Sequence, residues 1–419
     1  MSQQKFLHNL INIFAVFLFA VFILFEGYAW GKYAFLAASF AIYILGLLER
    51  NGKVVFRLDA YVILNVVFIF YVFLTALWAK SPDSTITMTR TLIRTFLCAY
   101  IVYLYFVKEE DVSRLLRILM WAGYIVAIYA LMFYGVDELM KAGSDSSLRV
   151  ENAFANVNSI AMCCALSCMI QANEFMEKRN RWTCVFLIPV LIVIGATQSR
   201  KALLFLIVGV FSSFIVKNQN ESIGKKIGKI IVGCIVTIFL VYALLQLDIF
   251  SGVKERIESM FNAFFGGGDS DGSALTRKKM IEIGWEEFLK HPIGGIGISN
   301  SYFITLQYLG RETYLHNNFV ELLSCGGIFA FTFYYAIYVY LFYNLWKYRK
   351  ADKKQAMFFA IWLLIMLALD YGNVSYYSKD QNYYLMIHFV NIENLKRKAR
   401  IEQSESFKVC KSFKKVYSR

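Results

Sequence analysis

From Phe6 to Phe25 the chain reads FLHNLINIFAVFLFAVFILF, and runs of that character recur almost to its end. Such a run crosses a bilayer as a helix, because hydrocarbon offers no water to the backbone and every amide must be satisfied within the segment. Twelve segments of this kind are read near residues 6–25, 32–48, 60–79, 92–107, 115–134, 154–173, 182–197, 201–216, 229–247, 317–346, 356–371 and 381–394, several of them short. They predict an all-α, polytopic membrane protein with about twelve transmembrane helices. A composition that is 58% apolar and only 18% charged, with a mean hydropathy of +0.49, lies outside the soluble range and agrees.

No small-residue cleavage site separates the first run from the second, so the first is expected as a retained helix. Seven of the eight cysteines fall inside apolar runs, Cys410 lies in a basic tail, and no CxxC pair occurs. Neither a disulfide framework nor a zinc site is indicated, and no metal or other cofactor is expected. The formal charge of +14 would suit a nucleic-acid partner, but the basic residues sit in short runs between apolar segments, where topology accounts for them. Placing both termini in the cytoplasm puts most of the 44 lysines and arginines on that side. The chain then divides into helices one to nine (1–247), a long external loop containing short helices and expected to be functional (248–315), helices ten to twelve (316–394) and a basic cytoplasmic tail (395–419).

Within the long loop, ALTRKKMIEIGWEEFLK reads as a helix with Ile281, Trp285, Phe288 and Leu289 on one stripe, and extending that stripe back by four residues reaches Arg277. An arginine on an apolar stripe either snorkels to the membrane surface or clamps an anion over a cavity. The helix ends at His291-Pro292. In PIGGIG, three glycines within four residues permit close backbone approach to a ligand or mark only a tight turn. Ser199-Arg200-Lys201 separates helices seven and eight, and a cation pair at an outer hairpin calls for an anionic complement. Arg149, with Asn152, Asn156 and Asn158 beside it, precedes helix six, where asparagines also serve as caps. His316, one of four histidines, stands with Asn317 at the lip of helix ten. Asp370, near the outer end of helix eleven, is read as an acid paired with a cation, and Asp269–Asp271 as a solvated turn.

In order, RVENAFANVN, TQSRKALL, a long loop with LTRKKMIEIGWEEFLKHPIGGIG, and YLHNNFVELLSCGG resemble the O-antigen polymerase and ligase family of bacterial surface glycan assembly, over Arg149 to Gly327. The resemblance implies a membrane-embedded glycosyltransferase of the GT-C type. Such an enzyme takes a glycan from an undecaprenyl diphosphate carrier at the outer leaflet and joins its reducing-end sugar to an acceptor hydroxyl, inverting the anomeric centre without metal. It also implies membrane lipids, a chain-length regulator and a flippase as partners, and a bacterial plasma membrane location. The family's essential arginine after helix seven falls on Arg200, its loop arginine on Arg277 and its histidine on His316; Arg149 and Asn158 match weaker positions.

That chemistry suits these residue types. Arginine forks bind phosphate in a bidentate way and stay charged, so they can neutralise a departing diphosphate. A histidine at a helix amino terminus near arginines favours the neutral imidazole that accepts a proton from the acceptor hydroxyl. Glu321 is a rival base one turn deeper, preferred as an ion-pair partner for an arginine, and with Asn317 it completes the expected substrate contacts. The ending DYGNVSYYSKDQNYYLMIHF resembles capsule and exopolysaccharide polymerases, so a polymerase is preferred. A ligase acting on a lipid core and a lipid-linked glycan flippase stand as alternatives. No internal repeat and only three prolines speak against the flippase.

Overall fold

The computed structural model describes residues 3–416 apart from 26–27, 29, 54–55, 109–111, 146–147, 149–154, 178, 180, 218–222 and 262–271. Arg149, Asn152 and the Asp269–Asp271 turn lie outside the described residues. In chain order the helices are α1 (Gln3–Leu24), α2 (Gly31–Glu49), α3 (Ala60–Leu74), α4 (Pro82–Phe106), α5 (Val112–Tyr134), α6 (Val136–Ser144), α7 (Val157–Met176), α8 (Leu187–Thr197), α9 (Arg200–Lys217), α10 (Ile223–Leu245), α11 (Ser251–Phe261), α12 (Gly272–Lys290), α13 (Ser301–Leu309), α14 (Asn318–Tyr348), α15 (Lys353–Leu369) and α16 (Lys379–Val416). No strand occurs among the described residues, and the protein is an all-α polytopic membrane protein.

Each of the twelve apolar segments coincides with a helix. Among the described residues, six stretches are long and apolar enough to cross a membrane by themselves: α1, Ala60–Leu77, α5, α7, Ile227–Leu245 and α14. The others are shorter or more polar. α6 is an additional short helix, and α11, α12 and α13 occupy the long loop. α7 packs between α5 and α9, α1 against α2 and α5, and α14 against α3, α12 and α16. The last helix runs without interruption from its apolar part into the basic stretch after residue 394.

α14 is broken at Gly327, which takes φ 65° and ψ −168°. The freed backbone finds partners in the PIGGIG stretch: Ile328 N donates to Pro292 O at 2.9 Å and Ile296 N to Ser324 O at 3.1 Å. Gly295, at φ 63°, has no alternative residue, since a Cβ there would stand 2.3 Å from the Cys325 carbonyl carbon. The close approach that these glycines permit is therefore to α14 itself. Tyr71 of α3 adds a hydroxyl bond to Gly326 O at 2.9 Å. The end of the long loop is sewn into a membrane helix, which fixes the short stretch from α13 to α14 in place.

The apolar stripe read on α12 is only partly buried: Ile281 packs against the core, but the most buried apolar residues lie elsewhere on the helix. Met280 (0% exposed) and Ile283 (5%) are buried toward α14, whereas Trp285 (47%) and Leu289 (61%) point outward. Arg277 still shares the buried face, because it lies one turn before Met280 and two turns before Gly284. The helix comes close because Gly284 has no side chain: a Cβ there would lie 2.5 Å from Val320 Cγ1 and 2.7 Å from Leu315 Cδ1.

Candidate active site

A recess of about 450 Å³ opens where the carboxyl ends of α1 and α15 meet the amino ends of α7, α9, α12 and α16. Lys201, Arg277, His316, Asn156 and Asn158 all line it.

His316 adopts φ 54°. For a non-glycine residue the left-handed region costs about 1–2 kcal/mol, so its neighbours must hold it there. On one side Asn317 caps α14, its side chain accepting from Val320 N at 3.0 Å while Nδ2 donates to Tyr371 O at 3.1 Å. Asn318 N donates to Asp370 O at 2.8 Å. On the other side Leu315 N donates to Glu321 Oε2 at 2.9 Å. Backbone strain enforced in this manner collects at functional sites. The half-buried imidazole lies against Tyr314, ring centroids 4.1 Å apart. Burial first, then the charges of Arg277, Lys201 and Arg311, lower its pKa to about 4. At neutral pH the ring is uncharged and able to take a proton.

Three cations, Arg277, Lys201 and Lys379, line the same space with the carboxylates Asp370 and Asp380, and two of the cations bear on His316. Arg277 reaches it from α12. Lys201 reaches it from the first turn of α9, its ammonium donating to Asn373 Oδ1 at 2.7 Å and to Gly372 O. Gly372 makes room for that side chain, since a Cβ there would stand 2.8 Å from Lys201 Cε. Arg200 is turned toward the loop instead and donates to Arg256 O of α11 at 3.1 Å. The hairpin between α8 and α9 thus sends its two cations in different directions. Gln198 anchors it at φ 50°, its amide donating to Ala142 O, Asp145 O and Leu148 O at 2.6, 2.7 and 2.7 Å. Ser199 Oγ donates to Asn158 Oδ1 at 3.1 Å, which joins this hairpin to the start of α7. Asn156 is a cap as well as a lining residue, accepting from Asn158 N at 2.9 Å.

Arg200 and Asn317, expected as substrate contacts, do not line the recess, Asn317 being 2% exposed as the cap of α14, and two further expectations are corrected. Glu321, 2% exposed, pairs with no arginine in its described bonds and does not line the recess. Its carboxylate accepts from Ser301 Oγ at 2.5 Å and from Leu315 N. Asp370 meets hydroxyls and an amide rather than a cation: Ser375 Oγ at 2.5 Å, Tyr335 OH at 3.0 Å and Asn318 Nδ2 at 3.4 Å. A buried carboxylate can be satisfied by neutral donors when enough of them converge. Lys201 and Gln198 were not singled out from sequence. The signal for Lys201 was present in the outward cation pair, but helical rotation decides which member of a neighbouring pair faces inward.

Fold and site together define a helical membrane protein whose recess sets an ammonium and a guanidinium beside a neutral imidazole. Residues 184–335 match the family model described as O-Antigen ligase. That stretch contains Arg200, Arg277 and His316, and it supports the resemblance read from the motifs; over it the chain is similar to membrane enzymes of the O-antigen ligase and polymerase type. A comparison with curated proteins gave no match.

Proposed function

We propose that the protein is a polysaccharide polymerase of the GT-C type. It joins undecaprenyl-diphosphate-linked oligosaccharide repeat units at the outer face of the bacterial plasma membrane, with both termini in the cytoplasm. The observation that carries this reading is the convergence of His316, Arg277 and Lys201 on one recess. The acceptor hydroxyl attacks the anomeric carbon of the donor from the side opposite the diphosphate. His316 takes the hydroxyl proton as the new glycosidic bond forms, and the bond to the lipid diphosphate breaks with its electron pair leaving on phosphate oxygen. Arg277 and Lys201 meet the charge that develops there, in a partly dry recess where such contacts gain strength. General-base assistance of this kind contributes roughly two to four orders of magnitude in rate. Asn158, tied to the Arg200 hairpin, orients the donor, and Arg200 itself holds the loop against the membrane helices.

A ligase uses the same chemistry with a different acceptor, and the description of the matched family model favours it. Lipid-linked glycans from a deletion strain separate the two. Accumulated single repeat units support the polymerase, and full-length unattached chains require the ligase. Unchanged glycans would overturn both.

A further inference from the structure

Glu321 is a buried carboxylate in a membrane helix, and such a group is retained at a cost unless it has work to do. Its position gives that work a direction. Asn317 is the cap of α14, so Glu321 sits just over one turn inside the helix, yet it reaches back past the cap to the amide of Leu315. Leu315 is the residue immediately before the strained His316. The second carboxylate oxygen takes the hydroxyl of Ser301, the first residue of α13. Glu321 thereby ties the start of α13 and the backbone before His316 to one rigid point on α14.

We infer that Glu321 is a positioning residue for His316, clamping the Leu315 amide so that the next residue is held in the left-handed conformation with its imidazole in the recess. This rests on the reading of His316 as the base. What the clamp needs is an acceptor oxygen at a fixed reach, and charge is secondary. A glutamine keeps that oxygen and that reach, presenting its amide nitrogen to Ser301, whose hydroxyl can accept as well as donate. An aspartate keeps the charge but shortens the reach by one methylene. The inference therefore ranks Glu321→Gln above Glu321→Asp, the reverse of what a catalytic carboxylate requires.

The test measures chain extension by the full-length protein in membranes with synthetic lipid-linked repeat units, alongside folded yield by size-exclusion chromatography. Glu321→Ala and Glu321→Asp are expected to lower kcat about 100-fold, the scale of an ångström's misplacement of a catalytic group, with the donor KM within about two-fold of wild type. Glu321→Gln is expected to restore most of kcat. Ser301→Ala, which removes only the other bond, is expected to lose folded yield without the drop in kcat. Glutamine as damaging as aspartate, wild-type kcat in Glu321→Asp, or losses that track folded yield alone would each overturn the inference. If Glu321→Ala does not fold, the Asp and Gln pair decides. His316→Ala run in parallel separates the two levels: an active His316→Ala sinks the base assignment, whereas an inactive one beside a fully active Glu321→Asp sinks only the clamp.

Discussion

Gly284 and Val320 approach so closely that a single added carbon on the glycine would fall 2.5 Å from the valine Cγ1. This contact sets the height of α12 over the start of α14, and hence where Arg277 stands relative to His316. Gly284→Val is expected to cut transfer at least about ten-fold through overpacking of roughly 1–3 kcal/mol, and Gly284→Ala less. The check is chain extension normalised to folded protein; a fully active Gly284→Val would show that the spacing of the two helices does not matter.

His316→Ala is expected to abolish chain extension while leaving expression intact, because no other imidazole lines the recess among the described residues. Turnover at the wild-type rate in lipid-linked repeat assays would remove His316 from the role of base.

Arg277→Lys is expected to be nearly as damaging as Arg277→Ala. A point charge cannot reproduce a fork that grips two phosphate oxygens. Full activity with lysine would make Arg277 a surface snorkel. At Lys201 the opposite ordering holds, since Lys201→Arg keeps the charge and Lys201→Met removes it; donor KM in the two variants reads this directly.

The acid limb of the pH profile has a sign that can be worked out. His316 has its pKa lowered to about 4, by burial first and then by Arg277, Lys201 and Arg311. It is neutral, and competent as a base, above that value and loses competence as pH falls through it. A bound diphosphate offsets the three cations and so raises the pKa. The limb in kcat, which reports the enzyme–substrate complex, is expected at higher pH than the limb in kcat/KM, which reports the free enzyme. Coincident limbs would mean that the cations and the anion do not act on this ring.

Chelators are expected to leave the rate unchanged, since lysine and arginine carry the charge relief proposed here. A rate lost in EDTA and restored by manganese would refute that account.

The helical class of the fold was legible because apolar runs of bilayer length admit little else. Arg277 and His316 could be named from the motifs as well, His316 from its place beside the helix start that Asn317 caps and Arg277 as the cation in line with the apolar residues of the loop helix. The rest depended on rotation and reach, which one sequence does not encode visibly. Trp285 and Leu289 read as part of an inward stripe because only the apolar side of a soluble helix is expected to be buried, whereas beside a bilayer apolar residues also turn outward. Arg200 and Lys201 differ by a single residue, about 100° of helix, and the hairpin geometry set by Gln198 selects between them. Glu321 looked like a partner for an arginine because the amide it holds belongs to the backbone, where residue type leaves no trace.

The stitching of Pro292–Ile296 into the break at Gly327 bears on how a bulky guest gains entry. With the carboxyl end of α12 and the His316 turn both moored to the same membrane helix, neither can give way without losing bonds to α14, and a guest must enter past elements that this stitch does not join. The proton acceptor is then a stationary post around which the substrate is arranged. A spin label beside Leu315 should keep its distance to one on α14 when substrate is added; a shift there would unseat this picture.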